Sequence, residues 1–280
     1  MGSLQHGRYD PTTRVGDTTV WRAVRTPEGG ATARFTGGGH EVGVDAWGDG
    51  AAWVTEHAPE MVGAADDAEG FAPRDTFVSE LHRRHPGMRI ARSRSVFPLL
   101  VATILGQRVT SIQAARSWGS ITRRFSERAP GPVNLWLPPE PARIASLPYH
   151  RFHPSGIERG RADTIRRCAS AASAFEALVD DPTRLEARLR FVSGVGAWTT
   201  GLVLASAAGD PDAVPIGDLH LPGIVCLTLT GDATGGDDRM LELLEPFRGH
   251  RGRVVRLLKS CGIAPPRHAP HARLMEIEHL

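Results

Sequence analysis

A chain of 280 residues with 41% hydrophobic residues can bury a full core, as one large domain or two smaller ones, without a disulfide or metal staple. Its formal charge of +2 hides an asymmetry: of 33 basic residues only Lys259 is a lysine, and arginines gather over residues 83–128, 151–167 and 248–256. Cys168, Cys226 and Cys261 stand far apart with no C-x-x-C pair, so a four-thiolate iron-sulfur cluster is excluded and no metal or other cofactor is expected.

In chain order, the opening stretch MGSLQHGRYDPTT has no apolar core, and no secretory leader is expected. TTVWRAVRT and ATARFTG alternate apolar and polar residues around a turn at Pro27-Glu28-Gly29-Gly30, and HEVGVDAW follows a glycine break at residues 37–39. These segments read as strands of a small antiparallel sheet. A short helix is expected from about Gly50 to Met61.

From Arg74 the periods are helical. Asp75 can cap TFVSELHRRH, Ser95 precedes VFPLLVATILGQRV, and Thr110 opens SIQAARSWGSITRRF. The apolar run from Val96 to Gly106 is too short to span a bilayer and ends at Arg108, which points to a soluble protein with no membrane partner, while the three unpaired cysteines suit a reduced cytoplasm. Residues 129–148 read as a proline-rich connection. RGRADTIRRCASAASAFEALV, TRLEARLRFV, AWTTGLVLASAA, DLHLPGIVCLTL, DDRMLELLEP and RGRVVRLLKSCG then each carry one apolar stripe. The expected organisation is a β-rich domain over residues 1–72 and a helical region over 73–280, an α+β protein that is mainly α.

Between TRLEARLRFV and AWTTGLVLASAA lies a hairpin, residues 193–198, with Gly194 and Gly196 on its edge and Val195 free to point inward. Such a turn at a helix N-terminus exposes backbone N–H groups beside the positive end of the helix dipole, which suits a phosphate. Taken alone it is equally a tight turn between core helices. After the loop GDPDAVPIG, Asp218 heads the next helix, where an N-cap is the plain reading.

Together, FVSGVGAWTT and the following PIGDLHLP resemble the helix-hairpin-helix DNA glycosylase superfamily, and within it the bacterial 3-methyladenine DNA glycosylase II group. The resemblance extends to FPLLVATILGQRVTSIQAA, to GIERGRADTIRRCA and, more weakly, to the strand-rich front, so it covers nearly the whole chain. It implies a monofunctional enzyme that hydrolyses the N-glycosidic bond of a damaged, alkylated base in duplex DNA. No obligate protein partner is implied, and the setting would be a bacterial cytoplasm. Asp218 would be the catalytic carboxylate, Gly194, Val195, Gly196 and Thr199 the DNA-binding hairpin, and Trp198 the base-stacking aromatic. Related lyases carry a hairpin lysine where this chain has Trp198, and the sole amine side chain, Lys259, lies in a distal helix.

Two positions where relatives have aromatics hold Leu202 and Leu219, which leaves a less aromatic base pocket. Phe71, Phe97 or Trp118 would then have to supply aromatic walls. The family's wedge loop implies Tyr149, Phe152 and His153 as candidates for filling the gap left by a flipped nucleotide, with Gln107 near the base or its orphaned partner. His220, two residues after Asp218, reads as an ordinary polar residue at a helix start. Two alternatives stand beside this reading: a glycosylase for bulky or toxin-derived adducts, and a non-catalytic lesion binder that retains the hairpin.

Overall fold

The computed structural model describes residues 5–38 and 41–263. Strands β1 (Thr13–Val15), β2 (Thr19–Thr26), β3 (Gly29–Gly38) and β4 (Glu41–Trp47) form one antiparallel meander in sequence order. The pleat sorts side chains as the alternation requires: Val20, Phe35 and Val44 align across the sheet, with Val24 opposite Ala31. That face packs on α1 (Ala51–Val62) through Val54, Ala58 and Met61. Strand β1, of three residues, is an addition to the expected sheet.

The other sheet face is covered by the stretch expected to be mere connection. Leu135 and Leu137 pack on Ala23, and a side chain at Gly30 would stand 2.6 Å from Leu137 Cδ1. The same stretch contains a short helix, α5 (Pro141–Ser146), with proline in its first turn where a missing N–H costs nothing.

The helical body adds α2 (Thr76–Arg84), α3 (Val96–Leu105), α4 (Ser111–Phe125), α6 (Arg159–Ser170), α7 (Ala172–Glu176) and α8 (Pro182–Arg190). After α9 (Ala197–Val203), which runs into a π turn over Leu204–Ala208, come α10 (Leu221–Thr230), α11 (Asp237–Leu244) and α12 (Arg251–Ser260). Asp75 accepts from Val78 N at 2.8 Å, and Thr110 forms a capping box with Gln113, both as their positions predict. Ser95 does not cap α3. Glu176 of α7 does so from across the core, accepting from Val96 N and Phe97 N at 2.9 and 2.8 Å. Burial pushes the Glu176 carboxyl above its ordinary range, against the pull of those two N–H groups.

Helix α3 is apolar nearly all round because it is the centre of the main core, with Phe97, Leu100, Val101 and Ile104 at most 1% exposed. Burying each of these side chains contributes roughly 1.5–3 kcal/mol. A second core joins Phe71 and α2 to α10, α11 and α12. There Arg253 and Asp66, 0% and 6% exposed, form a buried ion pair with contacts of 2.6 and 2.9 Å. Phe71 therefore packs with the C-terminal helices, although the sequence division at 72 assigns it to the sheet domain. Among the described residues, no helix is long and apolar enough to cross a membrane.

Candidate functional site

The hairpin between α8 and α9 is built by its neighbours. Val195 points inward at 6% exposure, and Val195 N donates to Val192 O at 2.9 Å. Gly194 has φ +94°, and a Cβ there would stand 2.2 Å from Thr164 Oγ1 on α6, so both backbone and space require glycine. The hairpin's carbonyl groups are held from the protein side: Arg167 donates to Ser193 O at 2.9 Å, and Gln107 Nε2 to Gly194 O at 3.1 Å and Thr199 Oγ1 at 3.0 Å. Thr199 itself is buried at 1% exposure and acts as that inner anchor.

Gly196 differs from Gly194. Its φ of −98° suits any residue, and a Cβ there would meet nothing within 4 Å. The absence of a side chain at Gly196 thus answers to no need inside the protein. It leaves the first turn of α9, whose leading N–H groups have no intrahelical acceptors, open to the outside.

Asp218 reaches this turn because a loop runs back along α9. Gly201 permits the approach, since a Cβ there would stand 2.5 Å from Val214 O. Trp198 Nε1 then donates to Asp218 Oδ2 at 3.0 Å, while Oδ1 accepts from His220 N and Leu221 N, both at 2.9 Å. Burial alone would raise the Asp218 carboxyl. The N–H groups of His220, Trp198 and Leu221, with the charge of Lys259, outweigh it and hold the group below the usual carboxylate range. Asp218 is an anion at neutral pH that is fixed at both oxygens and still half-exposed.

These residues line one cleft of about 1390 Å³. Its walls are the segment between α3 and α4 from Gly106 to Thr110, one face of α4, the turn Pro154–Gly156, the hairpin, Trp198, and Asp218 to His220. Trp198 is its sole aromatic wall among the described residues. The indole lies across the end of α3, 3.6 Å from where a Gly106 Cβ would stand.

Several expected residues sit elsewhere. Leu202 does not line the cleft, because the Val214–Pro215 loop crosses α9 at the adjacent Gly201. Leu219 is on the rim, 84% exposed. Phe71, Phe97 and Trp118 are buried away from the cleft, and Trp118 donates its indole N–H to Asp10 Oδ1 at 2.8 Å. Phe152 is not placed as a wedge: two tight 3-10 turns, Tyr149–Arg151 and His153–Ser155, direct it into the core at 0% exposure beside Phe125. Tyr149 and His153 meet each other edge to face at 6.2 Å and do not line the cleft. Gln107 does line it, but its amide N–H groups serve the hairpin. His220 stands exposed at the start of α10 and caps nothing with its side chain. Lys259, in the last turn of α12, is exposed and is not on the cleft wall.

Two arginines were passed over by the sequence reading. Arg161 braces the site, donating to Leu105 O at 3.0 Å and Gly156 O at 3.4 Å, and burial lowers its pKa. Arg108 stands exposed on the cleft wall with φ +56°, a left-handed conformation that a side-chain-bearing residue rarely adopts. The sequence signal was its place three residues past the end of α3, beside Gln107. Among the described residues, no group of three or more His, Cys, Asp or Glu could hold a metal ion.

No protein-family model matches the chain, and no curated protein sequence matches it. Solved structures do. A 3-methyladenine DNA glycosylase from Archaeoglobus fulgidus superposes with a TM-score of 0.74 at 19% identity, over 89% of this chain and 88% of that one. The 8-oxoguanine glycosylase/lyase of Clostridium acetobutylicum, in complex with duplex DNA, gives 0.67 at 13% identity over 90% and 98%. The 3-methyladenine DNA glycosylase of Schizosaccharomyces pombe, in complex with abasic DNA, gives 0.52 at 19% identity over 68% and 94%. The fold is that of the helix-hairpin-helix DNA glycosylases, a small antiparallel sheet followed by helices.

Proposed function

We propose that this chain, which has the helix-hairpin-helix DNA glycosylase fold, is a monofunctional DNA glycosylase that removes damaged, alkylated bases from duplex DNA. The observation that carries the reading is the meeting of Asp218, Trp198 and the hairpin in one cleft. Cleaving the C1′–N bond sends its electron pair to the departing base and leaves positive charge on the sugar. A carboxylate held ionised at that face stabilises the charge and orients a water, whose hydroxyl is added to C1′ and whose proton passes by way of the carboxylate to solvent. An alkylated purine already carries positive charge, so it leaves without a dedicated acid and is attracted to the face of Trp198.

Extracting the base from the stack costs a few kcal/mol, less when it is damaged. In this proposal Gly194 and Gly196 bring backbone N–H groups to a phosphate, which grips DNA irrespective of sequence. Arg108, at the cleft edge in its strained conformation, takes the place vacated by the flipped nucleotide, in place of the residues of the 149–153 turn. Hydrolysis without strand cleavage is favoured by Trp198 standing where a lyase would need an amine. A second reading, excision of bulky adducts, is favoured by the size of the cleft and its single aromatic wall.

The test is chromatographic identification of bases released from alkylated genomic DNA. Wild type should release alkylated purines, and Asp218→Asn should release none while still binding DNA. Undiminished release by Asp218→Asn overturns the mechanism, and release of bulky adducts alone selects the second reading. Borohydride should trap no enzyme–DNA adduct, and strands should remain intact until alkali is added. An adduct that disappears in Lys259→Arg would assign a lyase step to that amine.

A further inference from the structure

Away from the cleft, many arginines are matched to acids: Arg34 with Asp45, Arg94 with Glu60 and Asp180, and Arg251 with Asp212. One strip along α4 is different. Arg116 lines the cleft and is exposed; Arg123, also exposed, lies seven residues on and so on the same helix face. Between them the N-terminal segment lies directly on the helix. A Cβ at Gly119 would stand 2.8 Å from Tyr9 O and 2.9 Å from Arg123 Nη1, and a Cβ at Gly7 would stand 2.8 Å from Ala115 Cβ.

This contact sets Tyr9 among cations. The Arg8 and Arg116 guanidinium carbons lie 5.1 and 6.0 Å from its ring centroid. None of Arg8, Arg116 and Arg123 forms an ion pair among the described residues. The adjacent carboxylate, Asp10, is 8% exposed and occupied inward by His6 N, Thr12 N, Thr12 Oγ1 and Trp118 Nε1. The result is a cationic strip with an aromatic centre and, among the described residues, no counter-charge, starting at the cleft edge.

We propose that this strip carries the duplex arm beyond the lesion, with Arg116, Arg8 and Arg123 holding successive phosphates of one strand. The inference rests on the reading of the chain as a DNA glycosylase. Seven residue steps from Arg116 to Arg123 span about 10.5 Å, close to three base-pair rises. Contacts of this kind position DNA without reading its sequence.

The experiment is a salt titration of binding to a lesion-bearing duplex by wild type and by Arg8→Ala/Arg123→Ala. The slope of log K against log salt should fall by about two units in the double variant. Its single-turnover excision rate at saturating DNA should be unchanged. With a duplex cut at the first base pair beyond the lesion on that side, wild type should lose about three units, one for each of the three arginines. Arg8→Glu, a single change on an exposed residue, supplies a check independent of helix α4 and should also lower affinity. A wild type that binds and excises while both variants keep its slope and affinity overturns this inference alone. A wild type that neither binds nor excises overturns the glycosylase reading as well.

Discussion

The indole N–H of Trp198 meets Asp218 Oδ2 at 3.0 Å, so the aromatic wall of the cleft and its carboxylate are one hydrogen-bonded unit. The bond fixes the plane of the ring and, with His220 N and Leu221 N, keeps the carboxylate ionised.

Trp198→Phe retains an aromatic face and deletes one donor. A carboxylate held below its ordinary range stays charged as pH falls through that range, and loses charge only below it. Removing the donor raises the group toward its unperturbed value, so the acid limb of the excision rate should move to higher pH in the variant. Losing a hydrogen bond to a charged group removes about 1.5–3 kcal/mol of ground-state stabilisation from a carboxylate that is still charged at neutral pH, so the limb should move while the plateau rate above it is retained. A pH–rate profile under single-turnover conditions checks this. An unmoved acid limb would show that Trp198 acts on the base alone.

The two hairpin glycines should separate stability from binding. Gly194→Ala places a methyl group on Thr164 and demands a left-handed backbone, so it should lower the melting temperature clearly, at a cost above about 1 kcal/mol. Gly196→Ala meets nothing inside the protein and should melt like wild type. Its affinity should nevertheless fall for lesion-bearing and undamaged duplexes alike. Normal binding of plain duplex by a folded Gly196→Ala would reduce the hairpin to a structural turn.

Local signals were legible and distant ones were not. Asp75 and Thr110 cap helices within three residues of themselves, so their roles can be read from spacing. The cap of α3 comes from Glu176, 80 residues away, and no spacing rule connects the two. The sheet's alternation was plain, but β1 is too short to show a period. Prolines hid α5 because proline marks both connections and helix starts. At the site, the meeting of Asp218, Trp198 and the glycines in one cleft could be read because they lie in a short motif. The burial of Phe152 was not legible because side-chain direction in the 149–155 turns depends on packing over Phe125, and the left-handed backbone of Arg108 leaves no compositional trace.

The Asp66–Arg253 pair ties the loop after α1 to α12. Burial would raise the Asp66 carboxyl, but Arg253 and Ile90 N outweigh it and lower it. Its stabilisation is therefore present above the unfolded carboxyl value and lost as pH falls through the lower folded one. Asp66→Ala leaves Arg253 buried without its partner and should cost about 3–5 kcal/mol in urea unfolding at pH 7. The gap to wild type should narrow in strongly acidic solution. Equal stabilities at pH 7 would show that the pair contributes nothing net.

The three donors around Asp218 also bear on how this protein can drift. An asparagine at that position has one accepting oxygen and one donating nitrogen. It can satisfy the backbone of His220 and Leu221 or the indole of Trp198, and the remaining side then confronts donor with donor. Loss of the acid is therefore not a silent change, since it leaves a frustrated contact in the wall of the cleft. A relative carrying asparagine there would be expected to replace Trp198 as well, and that paired signature could be sought in its sequence.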